Sequence, residues 1–507
     1  MLFNSFDFLF VFLPIALICH YGVGRHSKSW AAALLALCSF AFYALSDAKS
    51  LPLLVASIIS NFALGHWIAA ASGSMRRFAL VVAIIGNLLL LGWFKYVAFA
   101  ASALASVGLF SGIPPAPELP VGISFFTFTQ IAFLVDTYQG KVKHSNPIHY
   151  ALFVTYFPHL VAGPILHHAQ MIPQFESDDT YRVDWRRIDL GVTLFVIGMA
   201  KKLLLADELS VFVGPVFDVP VAPNLIDAWA AALAYTFQLY FDFSGYSDMA
   251  VGLGLIFGVR LPFNFDSPYQ SVSIIDFWRR WHITLSTFLR DYLYVPLGGN
   301  KKGALTRYRN LMITMVLGGL WHGAGWTFLV WGCLHGSYLL VNHAWRAVQS
   351  RWWPAQAGDG PLARWVFWAL TFLAVVVGWV FFRADSIDRA WMVLGGMAGL
   401  HGVVLPIGLL SALPVDLAQR YGGTLALSWP AQPVLVAVAA WVALFLPNAQ
   451  ALAGLVADRA DGAGGRVRRA ALAAFQHDTW RLVIVVGLAL PCCLLINRVR
   501  EFLYFQF

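Results

Sequence analysis

The stretch LMITMVLGGLWHGAGWTFLVWG (311–332) is apolar enough to enter a bilayer, yet it carries a histidine and several glycines. Ionisable groups at membrane depth are costly and face polar cavities or partners, which makes His322 a functional candidate. Gly in a helix interior costs roughly 1 kcal/mol relative to Ala. Gly318, Gly319, Gly323 and Gly325 therefore point to close backbone approach or to a helix broken around a channel. A histidine hydrogen-bonded inside a helix bundle fits the same residues. An imidazole titrates near neutrality, so His322 suits proton abstraction from a hydroxyl that attacks a thioester. Trp321 and Trp326 would wall such a site against water.

Immediately upstream, residues 276–294 mix Asp276, Arg279, Arg280, His282, Arg290 and Asp291 with Phe, Trp and Tyr. At helical spacing Asp276 can pair with Arg279 or Arg280, and His282 and Ser286 share a face. One reading is an amphipathic element lining a polar entry, with its arginines near a phosphate-bearing donor. The other is an interfacial helix with snorkelling arginines and belt aromatics, which explains His282 least well. Further upstream, FDFSGYSDMA (241–250) places Asp242 and Asp248 inside an apolar run. They line a tunnel, orient a partner, or form an ion pair with a nearby arginine. GGNKKG (298–303) is a basic glycine turn without the Walker A pattern, and the glycines of GLGLIFG (252–258) read as helix packing. HExxH, G-x-S-x-G and Cys/His ligand clusters are absent, so metal chemistry and a serine-hydrolase triad have no sequence support.

The whole chain fits this local picture. Of its 507 residues, 59% are hydrophobic and 12% charged, about half the charge of a soluble domain. Many transmembrane helices are the simplest solution. The net charge of +8 sits in short loops between apolar runs, where the positive-inside bias explains it without nucleic acid. All five cysteines lie in apolar runs, so a disulfide framework is not expected.

Apolar runs occur near 6–24, 30–46, 51–71, 78–100, 120–138, 150–171, 189–213, 227–243, 245–260, 309–321, 324–345, 362–383, 391–412, 431–447 and 481–497. Some are short or broken, so about 10–13 spans with re-entrant or interfacial pieces are expected. The first run, lacking a basic leader and carrying Asp7, reads as a retained helix. Arg25 and Lys28, Arg76 and Arg77, and Lys141 and Lys143 follow the first, third and fifth runs. The loops at 46–50 and 111–120 lack that excess, so the N-terminus is expected to face outward. Arg498 and Arg500 weaken any charge argument at the C-terminal end. Residues 172–188 are expected at the membrane surface and 455–471 as a flexible loop. One polytopic domain, 1–507, is expected.

Several motifs resemble the membrane-bound O-acyltransferase superfamily, and most of all its bacterial branch of alginate O-acetylation and teichoic acid D-alanyl transfer proteins. They are LPVGISFFTFTQIAFLVDTY (119–138), FPHLVAGPI (157–165), QLYFDFSGYSDMAVGLGL (238–255), FNFDSPYQSVSIIDFWRRWHITLSTFLRDYLYVPLGGN (263–300), GGLWHGAGWTFLVWGCLHG (318–336), GWVFFRAD (378–385) and EFLYFQF (501–507). The motif-rich core covers about 119–385; among the C-terminal helices, 390–507, the region 390–480 matches poorly.

The resemblance implies an all-α ring of transmembrane helices around a central tunnel. It implies that the catalytic histidine falls at His322 and a second functional histidine at His282. It also implies acetyl-CoA as a cytoplasmic acyl donor, with no bound cofactor. Expected partners are periplasmic acetyltransferase proteins of a polysaccharide-modification complex, a polysaccharide acceptor and membrane lipid. The expected location is the bacterial inner membrane. Arg279, Arg280, Trp321 and Asp242 are the expected donor- or substrate-contacting residues. A transporter or flippase of an acylated lipid or glycan is the alternative, although no repeated halves are visible. Alginate, cellulose and other glycans all remain open as acceptors.

Overall fold

A computed structural model describes residues 1–109, 115–142, 146–352, 360–406, 431–456 and 465–496, with a few isolated positions besides. The described residues form helices and connecting turns, with no strand among them. In chain order the helices that matter here are α1 (Leu13–Gly24), α2 (Lys28–Ser46), α3 (Leu51–Ala70), α4 (Gly73–Ser106), α5 (Ile123–Tyr138), α6 (Pro147–Thr155) and α7 (Trp185–Ala200). There follow α8 (Leu225–Ile256), α9 (Ile274–Arg280), α10 (Ile283–Leu289), α11 (Ala304–His322), α12 (Trp326–Trp352), α13 (Pro361–Arg383) and α14 (Asp478–Leu495). Among the described residues, α2, α3, α4, α13 and α14 are each long and apolar enough to cross a bilayer by themselves. The protein is an all-α integral membrane protein.

Several boundaries differ from the hydropathy reading. The runs at 227–243 and 245–260 form one helix, α8, because Gly245 interrupts side chains and not backbone hydrogen bonding. The run at 150–171 is not one span. It breaks at Tyr156, since Pro158 lacks the N–H that a continuous helix would give to the Val154 carbonyl and its ring clashes there, and leaves regular structure near Gly163 and Pro164. The run at 189–213 ends α7 at Ala200 and continues as a π-helical turn, Lys201–Ala206. Residues Gly465–Gln476 are helical where a loop was expected, as Ala and Arg are strong helix formers. Lys143, Arg498, most of 501–507 and residues 457–464 lie outside the described residues.

Contacts group the chain into two compact units, one of residues 1–199, 246–264 and 483–507, the other of 200–245 and 265–482. In the first, α5 is buried almost all round and forms the core. Its entry needs Gly122, whose φ is +71° and where a Cβ would stand 2.8 Å from the Leu160 carbonyl oxygen. A polar seam holds the surrounding apolar helices. Asn61 and Asn87 exchange hydrogen bonds of 3.2 and 2.6 Å, Gln130 donates to Ser57 at 2.9 Å, and Tyr150 donates to Gln130 at 3.3 Å. Such amide pairs associate helices where the hydrophobic effect cannot.

Loop contacts in this unit sort its two ends. Arg76 donates to the Thr137 carbonyl, Lys28 pairs with Asp178, and His149 meets Glu176, so the basic exits of the first, third and fifth runs share one end. At the other end Lys49 meets Glu118 at 3.1 Å, and Asp47 accepts from the backbone of Val121.

In the second unit, Ser273 caps α9 by accepting from the Asp276 N–H, and α9 ends at Trp281. α10 starts directly after His282 and runs into a π-helical turn, Arg290–Tyr294. α11 and α12 then form a tight hairpin. A Cβ on Gly319 would lie 2.3 Å from the Phe328 carbonyl oxygen, and one on Gly332 would lie 2.6 Å from that of Met315. Only glycine permits this approach.

Candidate active site

His322 is the last residue of α11, and Gly323 leaves the helix in extended conformation. The glycine-rich turn 323–325 lets α12 begin at Trp326 and fold straight back. His322 is 4% exposed. His282 is wholly buried, which an interfacial helix would not explain. Nor does it share a helical face with Ser286. It stands between α9 and α10 at φ 43°, ψ 55°, left-handed backbone, and its carbonyl accepts the Ser286 N–H at 3.0 Å. Left-handed backbone costs a non-glycine residue roughly 1–2 kcal/mol, and strain of this kind clusters at functional sites.

The two imidazoles come together, with ring centroids 6.3 Å apart. Aromatic rings enclose them. Trp321 lies 5.0 Å from the His322 ring and 6.1 Å from that of His282. Trp331 and Phe382 each meet His322 edge-on at 5.2 Å, and Phe243 meets His282 edge-on at 4.7 Å. Trp321 therefore lies against both rings. Trp326 does not, because it is 55% exposed at the first position of α12.

The charged candidates separate. Arg280 turns back on Asp276 at 3.0 Å, the i,i+4 partner. Arg279 is exposed. Asp242, on α8, pairs with Lys202. Lys202 Nζ lies 2.6 Å from Asp242 and 2.8 Å from Asp207, with all three buried. Lys202 sits in the π-helical turn, which swings it toward α8. Asp248 is also buried on α8. Among the described residues no cluster of His, Cys, Asp or Glu has the makings of a metal site.

The family model of membrane-bound O-acyltransferases matches residues 121–378, slightly more than half of the chain and all of the histidine-bearing region. The chain belongs to that family. It is an integral membrane O-acyltransferase. A peptidoglycan O-acetyltransferase of Helicobacter pylori is 41% identical over 433 residues, covering 80% of this chain and 81% of its own. A probable alginate O-acetylase of Pseudomonas aeruginosa is 43% identical over 404 residues, covering 78% and 75%. A teichoic acid D-alanyltransferase of Streptococcus thermophilus is 27% identical over 246 residues, covering 44% and 57%.

Within this O-acyltransferase, a further buried histidine, His335, which sequence reasoning does not single out, stands near the pair. The Trp278 indole N–H donates to Nδ1 of His335 at 3.3 Å, which fixes the proton of that ring on Nε2. Nε2 faces Gly378 of α13, where a Cβ would stand 2.8 Å away. Trp331 lies between the histidines, 4.7 Å from His335 and 5.2 Å from His322. Trp379 stacks on Trp331 at 5.9 Å. His335 and Gly378 were both inside motifs quoted from the sequence, but nothing in either motif says that they touch. Lys202 was detectable as a lysine pair in an apolar run, VIGMAKKLLLADEL (196–209).

Proposed function

We propose that this O-acyltransferase moves acetyl groups from a cytoplasmic thioester, acetyl-CoA, to a hydroxyl on the route to an extracellular polysaccharide. The observation that carries the reading is the buried histidine pair, His282 and His322, enclosed by tryptophans within the family-matched region. The relatives named above as O-acetyltransferase and O-acetylase support acetyl as the acyl group. Alginate or another exopolysaccharide is the acceptor class that those relatives suggest.

In this reading a ring nitrogen of His322 takes the proton of the acceptor hydroxyl. The oxygen adds to the thioester carbonyl, the tetrahedral intermediate collapses, and the C–S bond breaks. The imidazolium returns its proton to the departing thiolate, leaving an ester and a free thiol. The α11 carbonyls end at His322, so the negative pole of that helix meets the ring as it gains charge. The aromatic wall keeps water, the competing acceptor, from the thioester. His282 orients the reacting groups from a fixed backbone position. Arg279 contacts the donor, while Arg280 and Asp242 act through their ion pairs.

The protein lies in the bacterial inner membrane with its N-terminus outside, consistent with the basic loops gathered at one end of the first unit. Periplasmic transferase partners would receive the acetyl group.

The test is transfer of labelled acetyl from acetyl-CoA by membranes bearing the parent chain or His322→Ala. Loss of transfer at equal membrane content is expected. Undiminished transfer in the variant would refute the assignment.

A further inference from the structure

The first unit carries a cleft of about 680 Å³ at the end where its basic loops meet. Its lining includes Tyr21, Arg25, Lys28, Asp178, Tyr181 and Arg182. The walls are fixed. His20 hydrogen-bonds the Thr180 carbonyl at 3.0 Å, and Tyr21 donates to the Ile256 carbonyl at 2.5 Å. Gly24 comes so close to Tyr181 that a Cβ there would stand 2.8 Å from its side chain. A cleft tied in this way exists before any ligand arrives.

Its charge is unbalanced. Lys28 and Asp178 neutralise each other at 3.1 Å. The side chains of Arg25 and Arg182 make no hydrogen bond or ion pair with the described residues, so two guanidinium groups at the cleft are uncompensated. The N-terminus of α2 opens on the same space. Ser27 is its N-cap and Lys28 its first residue, so the positive pole of a 19-residue helix adds to the arginines. Exposed Trp30 and Trp185 lie within three residues of Ser27 and Val183, both of which line the cleft. Indoles so placed mark headgroup depth at a membrane surface.

We infer that this cleft is a binding site for a phosphate ester. Guanidinium forks and helix N-termini are both matched to phosphate oxygens, and basic pockets between helices at a membrane surface hold phospholipid headgroups. Two sources share the chemistry. One is an anionic lipid headgroup drawn from the bilayer. The other is the phosphates of the nucleotide-bearing donor, and that source alone rests on the reading proposed above.

The experiment uses the purified full chain in phosphatidylcholine nanodiscs, with phosphatidylglycerol and CoA as separate probes. The parent is compared with Arg25→Gln/Arg182→Gln and with Arg25→Lys/Arg182→Lys. Each basic group near a membrane surface contributes about 1 kcal/mol of attraction, so the glutamine variant should bind the cognate probe roughly 10- to 30-fold more weakly, while the lysine variant retains most binding. Selective retention of phosphatidylglycerol, undisplaced by CoA, identifies the lipid source. Arginine-dependent CoA binding without anionic lipid identifies the donor source. Equal binding of both probes by parent and glutamine variant overturns the proposal. Binding is read in His322→Ala as well, so failure of acetyl transfer leaves this result intact.

Discussion

His282 and His322 bring their rings to 6.3 Å although one ends a helix and the other stands in left-handed backbone between two. Forty residues separate them in sequence. The left-handed turn at His282 redirects the chain between α9 and α10 and buries the ring against Phe243.

That conformation gives the first prediction. Alanine resists φ +43°, whereas glycine adopts it freely. His282→Gly should therefore unfold later than His282→Ala, by about 1 kcal/mol, inverting the order found in a helix interior. Both should lose acyl transfer, on the order of 100-fold. Thermal melts in detergent beside a transfer assay check both statements. A more stable alanine variant would mean that the left-handed turn is absent.

The Trp278–His335 hydrogen bond predicts a change in rate without a change in substrate affinity. His335→Phe removes the acceptor behind Trp331, and Trp278→Phe removes the donor. One such bond contributes about 1 kcal/mol, so kcat should fall roughly 5-fold in either variant with KM unmoved. The double variant should fall no further than the worse single one. His335→Gln, which supplies an amide oxygen to the indole, should recover most of the rate. Steady-state kinetics on reconstituted protein decides it, and additive losses would sink the coupling.

Lys202 holds two buried carboxylates, at 2.6 and 2.8 Å. Lys202→Met removes the ammonium that both face, and breaking a buried pair typically costs about 3–5 kcal/mol. The variant should accumulate poorly. Adding Asp242→Asn should restore part of the loss by removing one of the two buried negative charges that faced the ammonium. Membrane abundance and melting temperature are the measurements, and an undiminished single variant would contradict the geometry.

The glycines around His322 are not equivalent. Gly319→Ala drives a methyl to 2.3 Å from the Phe328 carbonyl oxygen, which is backbone and cannot swing aside. Gly325→Ala meets its nearest atom at 3.5 Å, ordinary contact. The first should destabilise by about 1–3 kcal/mol, the second hardly at all. A thermal-shift series on the two variants tests the hairpin.

Much of this was readable beforehand, for reasons visible in single residues. Apolar run length located α2, α3, α4, α13 and α14, because bilayer thickness dictates it. Glycine content foretold the α11–α12 approach, since only a missing Cβ allows it. Asp276 and Arg280 met because i,i+4 spacing is local. Hidden from the sequence were features decided by tertiary packing. No glycine or proline flags the turn at His282, so 276–294 scans as one helix. Trp326 resembles Trp321 by composition and differs only in the face it presents. The partner of Asp242 lies 40 residues upstream, where no periodicity points to it.

The two carboxylates on Lys202 also have a bearing on biogenesis. Asp207 follows Lys202 by only five residues, so it accompanies the ammonium from the moment that segment leaves the ribosome. Asp242 emerges much later, on α8. The lysine thus carries a provisional counter-ion into the membrane and acquires its second when α8 arrives. The ion-pair set that accompanies the burial of Lys202 is therefore complete only after α8 has been made.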